Sequence, residues 1–153
     1  MHPITDILVP TDFSEYANEA LEHAKLLARC LGATLHIVYV VEPIIYPTEW
    51  SYSQVGLAEL EQELARMAQQ ELDKLMGSLR AEGLTACAEV LYGRASEQIV
   101  RYAQQHNVGL ISIGTHGRGG LEHFLFGSTT ERVLRKAPCP VLVVRLAQPK
   151  EVR

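Results

Sequence analysis

Residues 109–134 read GLISIGTHGRGGLEHFLFGSTTERVL, and the order of that stretch decides the fold. Gly109-Leu110-Ile111-Ser112-Ile113 is a short apolar run of the kind that forms a buried strand. Glycines then crowd into a loop, and Ser128-Thr129-Thr130-Glu131-Arg132-Val133-Leu134 opens a helix with its hydroxyls first. Strand, glycine-rich loop and helix start in that order suit an anion. Glycine lets backbone N–H groups come close to a ligand, and the first N–H groups of a helix have no partner within it. The plain alternative is a chain that merely turns tightly here. Arg118 inside the loop and the Ser128/Thr129 pair at the helix start favour phosphate. The loop also excludes two nucleotide folds. It lacks the lysine of G-x-x-x-x-G-K-[ST], and Glu122 stands where G-x-G-x-x-G needs its third glycine.

Outward from this stretch, apolar runs alternate with helical periodicity. Ile7-Leu8-Val9 predicts a first strand, and Ala17, Ala20, Leu21, Ala24, Leu27, Ala28 and Leu31 predict an amphipathic helix ended by Gly32. Leu35 to Val41 is a second strand, rich in β-branched residues. Leu57, Leu60, Leu64, Met67, Leu72, Leu75 and Leu79 mark a longer helix closing at Gly83. Thr85–Tyr92 is a third strand, and Ile99, Val100 and Ala103 face inward from a third helix. Leu110–Ile113 and Val141–Val144 are the fourth and fifth strands, with a helix over about Ser128–Lys136 between them. Strand–helix alternation with nearly continuous apolar strands predicts an α/β domain, residues 1–153, whose parallel sheet is covered on both faces. Glu42–Gly56 has no clear period, and its Tyr46, Trp50 and Tyr52 either close over a ligand or pack on the second helix; no site is assigned to it.

Composition narrows the function. The apolar share of 47% with 21% charged residues is that of a soluble globular chain, and a formal charge of −4 argues against a nucleic-acid or anionic-membrane surface. No apolar run approaches 18 residues and no leader pattern opens the chain, so the expectation is a cytoplasmic protein without membrane insertion. Cys30, Cys87 and Cys139 are widely spaced within apolar runs and read as buried free thiols.

The first strand runs into Pro10-Thr11-Asp12-Phe13-Ser14, where ligands of open α/β sheets bind if this strand borders the fourth. Asp12 has the type and spacing of a helix N-cap, with Glu15 completing a capping box; Ser14 is a rival cap. Its alternative role is to accept hydrogen bonds from a ribose or an adenine amino group.

Five segments, ILVPTDFSEYANEAL, LHIVYVVEP, GRASEQIV, GTHGRGGLEHFLFGSTTERVL and APCPVLVVR, stand in an order and with a content that resembles the universal stress protein family over essentially the whole chain. The family's nucleotide-binding branch is marked by G-x₂-G-x₉-G-[ST], and Gly114, Gly117, Gly127 and Ser128 match it without departure. The resemblance implies a single doubly wound domain with a five-stranded parallel sheet of order 3-2-1-4-5. It also implies residue roles: Pro10, Thr11 and Asp12 along the adenosine, and Val40 offering backbone groups to the adenine edge. Ile113 and Gly114 would floor the site. His116, Gly117 and Arg118 would wrap ribose and phosphates, and Gly127, Ser128 and Thr129 would hold the phosphates. The ligand implied is ATP or AMP, with Mg²⁺ accompanying the triphosphate and held mainly by phosphates and water.

The chain carries no H-E-x-x-H, no G-x-S-x-G and no close His/Cys set with metal spacing, so no catalytic or metal residue is assigned. The expectation is a stress-response sensor or regulatory binding module with at most slow ATP hydrolysis. The rivals are a nucleotide hydrolase or adenylate-transferring enzyme on the same fold, which single-turnover assays with ATP would separate, and a dimeric scaffold with a vestigial pocket. Val141-Leu142-Val143-Val144 is apolar throughout, yet the family's strand order puts it at the sheet edge, which predicts a homodimer through this strand. Lys150 and Arg153 in the tail supply the alternative, a monomer whose tail covers that edge.

Overall fold

The computed structural model describes residues 3–45, 54–119 and 123–147. Strands β1 (Asp6–Pro10), β2 (Thr34–Val41), β3 (Ala86–Tyr92), β4 (Leu110–Gly114) and β5 (Val141–Val144) alternate with helices α1 (Glu15–Leu31), α2 (Gln54–Ala81), α3 (Ala95–Gln105) and α4 (Ser128–Lys136). The five strands form one parallel sheet of order β3-β2-β1-β4-β5, as the resemblance implied. Strand alternation divides the core. Ile7, Val9, Leu35 and Ile37 face α1 and α2, meeting Leu21, Ala24, Leu72 and Leu79. Leu8, Val38, Ile111 and Ile113 face α3 and α4, meeting Ile99, Tyr102, Ala103 and Val133.

Local chemistry sets the helix ends. Gly32 closes α1 in the left-handed conformation (φ 66°), its N–H bonded to Ala28 O, which is where the sequence placed the stop. Ser112, buried in β4, donates to Ala20 O, tying that strand to α1 and leaving no polar atom orphaned.

The second helix is where the sequence placed it, but its buried face is not the one its large side chains outline. Leu60, Leu64 and Met67 are exposed, while Ala65, Ala68, Leu72, Met76 and Leu79 are buried. The buried set holds one line of the helix, and the exposed leucines and methionine sit about 80–140° round from it. The close approach of α2 to the sheet is made by alanines. The thiols are not buried either: Cys30 and Cys87 are exposed and Cys139 is half-buried. Cys30 lies off the inner face of α1. Cys87 lies on β3, an edge strand on which Ala86, Ala88 and Val90 pack inward and Cys87 and Glu89 are exposed. That face of the edge is therefore open at Cys87 and Glu89, while Leu91 further along β3 packs under α3 with the second cluster. Tyr46, Trp50, Tyr52, Glu122, Lys150 and Arg153 lie outside the described residues.

Candidate functional site

β1 pairs with β2 on one side and with β4 on the other, Ile7 opposite Leu110 and Leu8 opposite Ile111. The chain runs β1 to β3 in one direction and returns to β4, so the connections after β1 and β4 diverge and open a crevice at the carboxyl ends of the strands. A cleft of about 790 Å³ lies there. All twelve residues expected at the site line it: Pro10, Thr11, Asp12, Val40, Ile113, Gly114, His116, Gly117, Arg118, Gly127, Ser128 and Thr129.

Sheet register explains what Val40 offers. Thr34 N donates to Thr5 O and Thr11 N to Val38 O, so even-numbered residues of β2 turn their backbone groups toward β1. Leu35 N donates to Thr85 O and Gly93 N to Val41 O, so odd-numbered ones turn toward β3. Val40 is even-numbered and lies past the end of β1 at Pro10. Its N–H and C=O accordingly aim into the crevice.

Asp12 is not the helix cap. Ser14 (φ −72°, ψ 162°) is, its hydroxyl accepting from Ala17 N at 3.3 Å. The capping-box reading began the helix too early, because Phe13 takes a left-handed turn (φ 60°) that separates Asp12 from α1. That turn is held by Thr11 Oγ1, which accepts from Phe13 N at 3.0 Å, and by the stacking of Phe13 on Tyr39. Freed from capping, the Asp12 carboxylate bridges two loops. Oδ1 accepts from Ser14 N and Oδ2 from Arg118 N, both at 2.9 Å. It therefore locks the loop after β1 to the glycine loop after β4.

The far wall is the start of α4. Gly127 is its N-cap (φ −69°, ψ 163°), and no side chain caps it. Gly127 N donates to Thr115 O at 2.7 Å, and the buried Thr130 hydroxyl donates to Gly114 O at 2.8 Å. These bonds hold the helix against β4 and leave the first-turn N–H groups of Ser128 and Thr129, with the positive end of the helix dipole, to the cleft. His116 is held within its own loop. Its ring pairs with Thr115 Oγ1 through Nδ1 and with Phe124 O through Nε2, at 3.1 and 2.8 Å. The side chain braces its own loop.

The three motif glycines do different work. A Cβ at Gly114 would stand 2.7 Å from Tyr16 O, so this glycine serves the close approach of α1 to β4. At Gly117 it would meet Asp12 Oδ2 at 2.7 Å and disturb the loop lock. At Gly127 the nearest atom is His116 Cα at 3.5 Å, an ordinary contact. Only Gly127 is a glycine that the protein's own packing does not require.

Several lining residues escaped the sequence reading. Thr130 follows the motif and was hidden by its helical setting. Phe124 and Phe126 edge the cleft from the loop, and Glu42 lines it while accepting from Ala95 N, at the start of α3, at 2.7 Å. A carboxylate 53 residues from its partner leaves no signal in a single sequence. Among the described residues no group of three or more His, Cys, Asp or Glu has metal-holding geometry, and no helix is long and apolar enough to cross a membrane.

Fold and cleft together define a doubly wound α/β protein with an open crevice at its switch point. The sequence profile of the universal stress protein family matches residues 3–145, and the chain belongs to that family. Universal stress protein MJ0531 of Methanocaldococcus jannaschii is 38% identical over 143 residues, spanning 91% of this chain and 81% of that one. The structure of universal stress protein UspA from Lactobacillus plantarum superposes with a TM-score of 0.85 at 31% identity, covering 95% of this chain and all of that one. A universal stress protein from Archaeoglobus fulgidus in complex with dAMP shares the fold at 21% identity and a TM-score of 0.57, with 93% and 98% coverage.

Proposed function

We propose that the cleft binds an adenine nucleotide, ATP or AMP, and that the protein is a nucleotide-responsive regulatory module of the stress response. The observation that carries this reading is the pairing of two unspent backbone surfaces across one crevice. Val40 presents a donor and an acceptor at one end, and the uncapped start of α4 presents donors and a positive dipole at the other. An adenine edge fits the first and a phosphate the second. Pro10, Thr11 and Asp12 then run along the sugar, Ile113 and Gly114 form the floor, and Gly117, Arg118, Gly127, Ser128 and Thr129 surround the phosphates. His116 supports that loop from behind. Mg²⁺ arriving with a triphosphate would be held by phosphate oxygens and water. The Archaeoglobus fulgidus relative holds dAMP; at its identity it lends the fold, and the ligand class rests on this chain's own cleft.

Binding rather than turnover suits the carboxylates of the cleft. Both oxygens of Asp12 already accept backbone N–H bonds, Glu42 accepts from Ala95 N, and Glu131 is paired with Arg135 at 2.8 Å. A carboxylate so engaged is a poor general base. We therefore read at most slow hydrolysis.

The test is base discrimination. A cleft that leaves the Val40 N–H and C=O unpaired with the wrong base should prefer ATP to GTP by about 1–3 kcal/mol, roughly fivefold to 150-fold. Competition against a fluorescent adenine nucleotide measures the ratio. Equal displacement by GTP would reduce the site to a phosphate cradle.

A further inference from the structure

At the opposite end of the sheet, where the strands begin, lies a polar cluster that nucleotide binding leaves unused. Asp6 opens β1, His36 and Cys87 are cross-strand partners in β2 and β3, and Tyr102 and His106 come from α3 and its C-cap. The His36 ring joins them. Its Nε2 lies 2.8 Å from Asp6 Oδ1, and its Nδ1 lies 3.0 Å from the Tyr102 hydroxyl and 3.4 Å from Cys87 Sγ. His106 stacks on Tyr102 with ring centres 4.0 Å apart. His36 and Tyr102 are buried, whereas Cys87 is exposed at the edge strand.

The arrangement fixes a tautomer. The Asp6 carboxylate takes the Nε2 proton in hydrogen bond, which leaves the Nδ1 lone pair toward the Cys87 thiol and the Tyr102 hydroxyl. A nucleophile, a ring base and the carboxylate that braces it thus stand in line, the nucleophile carried on an exposed residue with its sulfur turned in, part-buried, against the ring. Burial of the sulfur raises the thiol's pKa, the charges of Asp6 and Glu89 add to this, and the Tyr102 hydrogen bond opposes it. Cys87 therefore rests as a thiol, and its reactivity depends on a base within reach. Cys30, also exposed, makes no side-chain hydrogen bond to a base among the described residues. The nearby carboxylates Asp6 and Glu89 disfavour anionic reagents, which leaves small neutral ones.

We propose that Cys87 is a hydroperoxide-reactive modification site, with His36 as its general base and Asp6 as the positioning residue. As Sγ attacks the terminal peroxide oxygen, the thiol proton passes to His36 Nδ1. The S–O bond forms as the O–O bond breaks, and the leaving oxygen takes the proton from His36 and departs as water or an alcohol. Sulfur is oxidised to the sulfenic acid and the peroxide is reduced.

The test treats the full chain with limiting hydrogen peroxide at neutral pH, traps sulfenic acid with dimedone and reads each cysteine by peptide mass spectrometry. Cys87 should react at least tenfold faster than Cys30. His36→Gln should slow Cys87 at least tenfold and leave Cys30 unchanged. Tyr102→Phe, which removes the competing donor to Nδ1, should leave the Cys87 rate at or above that of the parent. A parent rate for Cys87 no greater than for Cys30, or no effect of His36→Gln, would overturn the proposal. Should His36→Gln loosen the fold, half-buried Cys139 would label faster, and the parent ratio of Cys87 to Cys30 decides alone.

Discussion

At the residue scale, two carboxylates organise opposite ends of the sheet. Asp12 ties two loops together at the cleft, and Asp6 anchors His36 where the strands begin. Burial works to raise the Asp6 pKa, but hydrogen bonds from Thr5 and His36, with the charges of His36 and His106, outweigh it and hold the group below its ordinary value. A lowered folded pKa means stability that is present above the unfolded value near 3.8 and lost as pH falls through the lower folded one. Asp6→Asn should therefore cost about 1–2 kcal/mol at neutral pH, an amount set by one charge-assisted hydrogen bond at a partly open position. The deficit should shrink as pH falls below about 3.8 and close once the pH lies under the lower folded value, where the parent loses the same charge. Urea denaturation at pH 7 and pH 3 measures it, and an equal deficit at both would assign the cost to packing. What the sequence could tell at this scale was uneven. Gly127 and Ser128 stood out only through the motif, whereas Gly32 was legible because a left-handed C-cap demands that residue type. The role of Asp12 was not, since the positive φ of Phe13 that frees it has no mark in a phenylalanine.

At the element scale, the strands and helix ends were legible because apolar runs and stop residues are local. The face of α2 was not, because the alanines that pack closest, Ala65 and Ala68, carry little hydrophobic signal beside Leu64 and Met67. β5 brings the sharpest consequence. Ile111 N donates to Pro140 O and Thr115 N to Val144 O, so even-numbered residues of β5 face β4 and odd-numbered ones face the open edge. Val141, Leu142 and Val143 remain half-buried in the single chain. We propose that a second copy pairs with this edge about a two-fold axis, which satisfies both backbones in a closed contact. Val143→Pro removes an outward donor without touching the β4 ladder. Sedimentation velocity at micromolar concentration should show a dimer for the parent and a monomer of unchanged circular dichroism for the variant. A monomeric parent would contradict the pairing.

At the scale of the whole molecule, the strand order is what makes the cleft. Reversal between β1 and β4 brings the Pro10–Asp12 segment, the end of β2 and the glycine loop to one crevice, although they are separated by up to about a hundred residues in the chain. No local pattern in the sequence shows that adjacency; it came only with the family resemblance, and the sheet bears it out. The central claim is that this crevice holds an adenine nucleotide by close backbone approach at Gly127. Calorimetric titration of AMP and ATP into the parent and into Gly127→Ala tests it most directly. The added Cβ meets only ordinary contacts within the protein, so the variant should fold, losing about 1 kcal/mol at most from a poorer N-cap. We predict saturable one-to-one binding to the parent and at least a tenfold loss in the variant, as charge-assisted bonds to phosphate worth about 1.5–3 kcal/mol each are displaced. No binding by the parent, or an unchanged affinity in a folded Gly127→Ala protein, would contradict the account.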